Sequence, residues 1–153
     1  MKKHQAVTSI ENGTVIDHIT AGLAYDIVAL LDLTANPNTV TVGMNLPSQR
    51  LTRKDIIKVE GRFFAEKELE EIGVFAPDAT LNIIENYQIV SKQSVKAPEK
   101  LTRLLKCPNP NCITHEEPIQ SFFTVDEIGT RILLRCHYCE RLYERHEIKE
   151  RNR

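Results

Sequence analysis

An α+β chain in two parts is the architecture the sequence predicts, and three observations predict it. Strand-like and helix-like segments alternate up to about residue 96. Four cysteines are confined to residues 107–139, and a polar, proline-bearing stretch at residues 94–100 lies between the two regions. A length of 153 residues suffices for one ordinary domain or two small ones. The boundary is placed in the polar stretch, giving domains at residues 1–96 and 97–153.

The elements of the first part follow in order. Asn12-Gly13 is a turn signal, and the β-branched run Thr14-Val15-Ile16-Asp17-His18-Ile19 after it reads as a strand. Thr20 is expected to cap a helix whose Leu23, Ile27, Leu30 and Leu31 recur at helical spacing, with Asn36-Pro37-Asn38 as its stop. Val40, Val42, Met44 and Leu46 alternate as a half-buried strand does. Pro47-Ser48 turns into a further strand around Asp55-Ile56-Ile57-Lys58-Val59. A short acidic helix at residues 66–72 is expected to stop at Gly73, and two strands at 81–84 and 87–90 meet at the Glu85-Asn86 corner. The first six of these elements, β-α-β-β-α-β, match the ferredoxin-like split βαβ unit, with two helices on one face of a sheet.

The second part is read from its cysteines. Cys107-Pro108-Asn109-Pro110-Asn111-Cys112 is C-x4-C, and Cys136-His137-Tyr138-Cys139 is C-x2-C. A hairpin from residues 121–125 and 131–135 would bring these two knuckles together and offer four sulfurs tetrahedrally, as structural zinc requires. A piece this small needs such a staple, because its own apolar core is insufficient. The expected architecture is therefore an all-β zinc ribbon of the rubredoxin-like kind holding one Zn2+ ion. His115 and His137 are the rival ligands, but with four thiolates present they are read as outer neighbours. A closed tetrathiolate site leaves no position for an activated water, which speaks against a catalytic zinc.

Composition narrows the function classes. The formal net charge is −1 and the pI about 6.5. Residues 1–96 carry 10 basic and 12 acidic groups, and residues 97–153 carry 10 and 9. That balance lacks the basic excess of a nucleic-acid binder. No apolar run approaches the roughly 20 residues that cross a bilayer, so no membrane partner is expected and the cytoplasm is the expected compartment. Cysteines in that compartment are metal ligands more often than disulfides. In the first domain Asp17, His18, Lys58 and Lys92 lie on or beside strands, a set able to hold an anion and a ribose hydroxyl. Solvated strand residues would look the same. Asp17 and His18 are adjacent, so strict alternation sends them to opposite faces unless the strand ends or bulges there. A zinc-ribbon nucleic-acid-binding module is the alternative class.

Several runs carry a resemblance to a known family. Gly13-Thr14-Val15-Ile16-Asp17-His18-Ile19, Asn45-Leu46-Pro47-Ser48, Arg53-Lys54-Asp55-Ile56-Ile57-Lys58-Val59-Glu60, Ala76-Pro77-Asp78-Ala79-Thr80, Asn86-Tyr87 and Cys107-Pro108-Asn109-Pro110-Asn111-Cys112-Ile113 resemble the regulatory chain of aspartate carbamoyltransferase. The resemblance runs from about Val7 to His146. It implies a non-catalytic allosteric subunit in pyrimidine biosynthesis, with two catalytic trimers joined by three regulatory dimers. The first domain would bind CTP, UTP and ATP and pair with its twin, and the zinc domain would contact the catalytic chains. Position by position it implies His18 and Lys92 at the phosphates, Asp17 and Lys58 at the ribose, and Lys54 near the triphosphate. It further implies Val7, Ile10, Val15, Asn82, Ile84, Tyr87 and Ile89 around the base, and Cys107, Cys112, Cys136 and Cys139 on the metal. Gln93 and Ser94 depart from the further basic character that well-studied members carry there. Leu104, just past the linker, is expected at the junction through which an effector signal would pass.

Overall fold

In the computed structural model, residues 9–102, 105–116, 119–129 and 131–150 are described. The chain divides into two compact units, residues 1–96 and 97–153. Val7 and Leu104 lie outside the described residues.

The first unit is one five-stranded antiparallel sheet with two helices. In chain order the elements are β1 (Gly13–Thr20), α1 (Ala24–Leu30), β2 (Val40–Ser48), β3 (Thr52–Glu60), α2 (Glu66–Phe75), β4 (Thr80–Glu85) and β5 (Gln88–Ser94). The sheet order is β2-β3-β1-β4-β5, which is the ferredoxin-like order with β5 added at one edge. One face carries the core. Ile16 and Ile57 lie opposite each other, as do Ile16 and Leu81, and all three are essentially inaccessible. Ala24, Ile27 and Leu30 of α1 and Ile72 and Val74 of α2 supply the buried helical side. Gly13 starts β1 where no other residue fits, since a Cβ there would lie 2.1 Å from the Val59 carbonyl oxygen and φ is +143°.

Two expectations are corrected. Thr20 contributes no side-chain cap to α1; the carboxylate of buried Asp55 instead accepts the Gly22 and Ala24 N–H groups, at 2.9 and 3.0 Å. Gly73 does not stop α2, which continues to Phe75, because Ile72, Val74 and Phe75 are all buried and tertiary packing outweighs glycine's weak helix propensity.

The second unit contains β6 (Lys100–Thr102), β7 (Leu105–Lys106), β8 (Phe122–Ile128), β9 (Arg131–Cys136), β10 (Leu142–Glu144) and β11 (Lys149–Glu150). A four-stranded sheet runs β10-β9-β8-β6, and β11 pairs with β7. Phe123 and Leu134 are its most buried large apolar side chains. This is the expected all-β ribbon, with a cysteine knuckle after β7 and another after β9. Among the described residues no helix is long and apolar enough to cross a membrane.

Candidate functional site

The face of the first sheet away from the core carries a cavity of about 330 Å³, lined by Ser9, Ile10, Val15, Asp17, Ile56, Lys58, Asn82, Ile84, Tyr87 and Ile89. Strand parity builds it. Val15 lies opposite Lys58 on one side and Asn82 on the other, and Asn82 lies opposite Lys92. Directly opposed residues share a face, so Lys58, Val15, Asn82 and Lys92 form one row across four strands. Ile10, Val15, Ile56 and Ile84 make an apolar cluster of their own, with Leu46 packed against it. Tyr87 enters from the β4–β5 turn, where Asn86 and Tyr87 both have positive φ, at 51° and 65°.

The adjacency of Asp17 and His18 is resolved by a bulge. Ile16 pairs with Ile57 and Ile19 with Asp55, so Asp17 and His18 together oppose the single residue Ile56. Ile16 and Ile19 are both fully buried on the core side, and the two residues between them are left off it. His18 pays for this with φ 55°, and its N–H donates to the Asp17 carboxylate at 2.6 Å. A second bulge faces it on β2, where Met44 and Asn45 oppose Asp55. The Asn45 N–H donates to the other oxygen of Asp55 at 2.8 Å.

The electrostatics converge on the same corner. Lys54 Nζ is 2.8 Å from Asp17 Oδ1. Burial pushes the Asp17 carboxyl up, but the Lys54 and His18 hydrogen bonds and the charge of Lys54 outweigh it and hold the group below its usual value. His18 Nδ1 is 2.8 Å from Thr80 Oγ1. Its imidazole is held below its usual value by burial, opposed by Asp17 and reinforced by Lys54, Arg50 and Lys92. Lys58 is likewise lowered, by burial first, with Asp17 opposing and Lys54 adding. Asn82 Oδ1 is buried with no hydrogen-bond partner among the described residues. A buried amide oxygen left this way costs about 1–3 kcal/mol.

Of the sequence-predicted residues, Ile10, Val15, Asp17, Lys58, Asn82, Ile84, Tyr87 and Ile89 line this cavity. His18, Lys54 and Lys92 stand beside it through the contacts above. Ser9, Ile56, Thr80 and Arg50 were not anticipated. The two-residue period was a signal for Ile56, which has the same parity as Lys58; nothing in the sequence pointed to Arg50.

The second site is the cysteine cluster. Cys107 and Cys139 sulfurs are 3.7 Å apart, Cys112 and Cys136 sulfurs 3.8 Å, and all four lie within 4.8 Å of one another. Sulfurs about 2.3 Å from a central ion at tetrahedral corners are about 3.8 Å apart, so the cluster fits a four-coordinate metal. Cys107, Cys112 and Cys136 are buried. Burial, with the thiols of Cys139 and Cys136 beside it, raises the Cys107 thiol against the pull of the Asn109 N–H. Burial also raises Cys136. At Cys139 burial is outweighed by the Arg141 N–H, the Asn109 side chain and the neighbouring thiols, which bring it down to about 7. One sulfur is thus ready to be a thiolate near neutrality, and a cation would stabilise the rest. His115 is no ligand: its Nε2 is 2.8 Å from the Cys107 carbonyl oxygen. His137 packs edge-on against Phe122 and Tyr138. Arg135, at the second knuckle, pairs with Asp126 at 3.5 Å.

Comparison with known proteins covers both units. Residues 5–96 match the family model described as aspartate carbamoyltransferase regulatory chain, allosteric domain, and residues 99–149 match that family's metal binding domain. The aspartate carbamoyltransferase regulatory chain of Proteus mirabilis (strain HI4320) is 44% identical over 142 residues, 93% of each chain. Those of Yersinia pseudotuberculosis serotype O:1b (strain IP 31758) and Yersinia pestis are 45% identical over 138 residues, 90% of each chain. With both halves matched in order and a metal-fitting cluster in the second, the chain belongs to the family of aspartate carbamoyltransferase regulatory chains.

Proposed function

We propose that the chain binds CTP, UTP and ATP in the cavity of the first domain, residues 1–96, and passes the effect to aspartate carbamoyltransferase catalytic chains through the second, residues 97–153, in the control of pyrimidine biosynthesis. The observation that carries this reading is the cavity's division. An apolar slot of Ile10, Val15, Ile84 and Ile89 beside Tyr87 suits a flat base. The Asp17–Lys54 pair, Lys58, His18 and Lys92 stand at one side, where a ribose and a polyphosphate would follow. Asn82 Oδ1, buried and without a partner among the described residues, would accept from a donor on the nucleotide. The metal is read as Zn2+, because four thiolates in a closed tetrahedron suit zinc and leave no open position for catalysis.

Two exposed apolar features support the partners. Ile113, Tyr138 and Leu142, each more than 40% exposed, follow or lie within the knuckles and suit docking onto a catalytic chain. Val42 and Met44 are exposed on β2, an edge strand of the sheet, and suit pairing with a second copy of the chain.

Calorimetric titration of the full chain with CTP, UTP and ATP tests the first part. Aspartate saturation of a catalytic trimer mixed with the chain, with and without each nucleotide, tests the second. Micromolar binding together with a nucleotide-dependent shift of the aspartate curve is expected. Absence of nucleotide binding by folded, dimeric chain would overturn the assignment of the cavity, and salt-sensitive binding to DNA or RNA would favour a nucleic-acid-binding ribbon instead.

A further inference from the structure

We infer that Tyr143 is a positioning residue of the metal centre, its phenol donating an O–H···S hydrogen bond to the Cys107 thiolate and so setting how firmly the metal is held. The inference rests on the reading of the four cysteines as metal ligands. Tyr143 Oη lies 3.9 Å from Cys107 Sγ, where the free thiol donates to the phenol oxygen; a thiolate has no proton to give, so there it can only accept from the hydroxyl. The contact joins positions 36 residues apart. It is therefore made by the fold and is not a property of either knuckle's own turn.

Strand pairing sets the placement of the ring. Tyr143 sits in the middle of β10, opposite Leu134 of β9, and Leu134 is fully buried. Its neighbour Glu144 pairs with Arg131. Tyr143, Leu133 and Leu142 line a cavity of about 450 Å³ together with Arg131, Glu144 and Glu147. The ring is thus held between that cavity and the metal centre. Cys107 is fixed at its other end, its carbonyl oxygen engaged by His115 at 2.8 Å.

The chemistry gives the contact a consequence. Four thiolates around a divalent cation carry a net charge of −2, concentrated on sulfur. Other hydrogen bonds to these sulfurs come from the knuckles themselves, from backbone N–H groups of Asn109, Tyr138, Cys139 and Arg141 and from the Asn109 side chain. A phenol hydroxyl adds a side-chain donor that can be removed without altering either turn. A hydrogen bond to a metal-bound thiolate lowers the energy of its lone pairs. This makes the sulfur less open to protonation and attack, and it raises the energy of sulfur-to-metal charge transfer.

The test uses the full chain loaded with Zn2+ or with Co2+ as a spectroscopic substitute. It compares the wild type with Tyr143→Phe, which keeps the ring, and Tyr143→Leu, which does not. Tyr143→Phe is expected to move the sulfur-to-cobalt charge-transfer band to longer wavelength. It should also weaken Zn2+ retention against a competing chelator about tenfold, the lower end of the loss seen when outer partners of metal ligands are removed. Tyr143→Leu is expected to share the band shift. If Tyr143→Phe superimposes on the wild type in band position and zinc retention, the inference is overturned. It is equally overturned if only Tyr143→Leu loses metal, because the ring would then act by packing alone. A wild-type chain that retains no metal would remove the metal reading itself, a result distinct from both.

Discussion

At the scale of single residues the proposed nucleotide site depends on cations set around one carboxylate. Lys58 and Lys92 share a row with Asn82, while Asp17 is engaged by Lys54. A charge-assisted hydrogen bond to phosphate or ribose contributes about 1.5–3 kcal/mol. Lys58→Ala and Lys92→Ala are therefore each expected to weaken CTP and ATP binding by roughly tenfold to a hundredfold in calorimetry. Wild-type affinity in both variants would show that the nucleotide binds elsewhere. His18 makes a second prediction, about pH. In the free chain its imidazole lies below the usual value, so its contribution to folding is present above pH 6.5 and is lost as pH falls through the depressed value. A polyphosphate beside the ring would favour the imidazolium and raise that value. Binding should then take up a proton, and affinity should be highest at low pH and fall as pH rises through the bound-state value. Titrations near pH 6.5 in two buffers of different ionisation heat measure the proton count directly. Uptake is expected for the wild type and not for His18→Gln; equal uptake by both would assign the proton to another group.

At the scale of elements the site rests on two bulges flanking β3 and on the one side chain between them. Asp55 accepts three backbone N–H groups, from Gly22, Ala24 and Asn45, while fully buried. It ties the start of α1 and the β2 bulge to β3 at the register where Asp17 and His18 leave the core face. Removing it strands three donors and uncaps a helix, so Asp55→Ala should cost about 3 kcal/mol in urea unfolding. Nucleotide affinity should fall in the same variant. A loss under about 1 kcal/mol would mean that water or backbone relaxation replaces the carboxylate. This part of the fold was the least legible in the sequence. Alternation in Val40 to Leu46 and the β-branched run before Ile19 disclosed the strands, because side-chain parity is written directly in residue order. The cysteine spacing disclosed the knuckles for the same reason, since each is a local turn. The adjacency of Asp17 and His18 raised the β1 bulge only as one of two alternatives, and the β2 bulge was not legible at all, because a bulge is a relation between two strands and neither carries its signature alone. Thr20 looked like a cap because cap preferences are local, whereas the actual cap comes from Asp55, more than thirty residues away in sequence. Gly73 looked like a stop for the same reason, before the packing of Ile72 and Val74 was known.

At the scale of the whole molecule the two units differ in what holds them together. The first has a continuous apolar core between sheet and helices, with Ile16, Ile19, Ile27, Ile57 and Leu81 essentially inaccessible. In the second, Phe123 and Leu134 are fully buried beside three buried cysteines, and its sheet is short-stranded. A domain of that size needs a cross-link or a metal to be stable. Structural zinc supplies on the order of 10–16 kcal/mol in apparent binding free energy, more than the whole stability of a small domain. The metal should therefore control the second unit and leave the first intact. Cys139→Ala, or stripping the metal with a thiol reagent and chelator, is expected to abolish the second unit's cooperative unfolding transition and its assembly with catalytic chains. Nucleotide affinity, measured on the same sample, should stay within about twofold of the wild type, because none of the cavity residues belongs to that unit. Metal analysis should find one zinc per wild-type chain and well under one in the variant. Normal assembly of the metal-free chain would refute the metal's structural role. Loss of nucleotide binding along with the metal would show that the first unit does not stand on its own core, and that the two units fold as one.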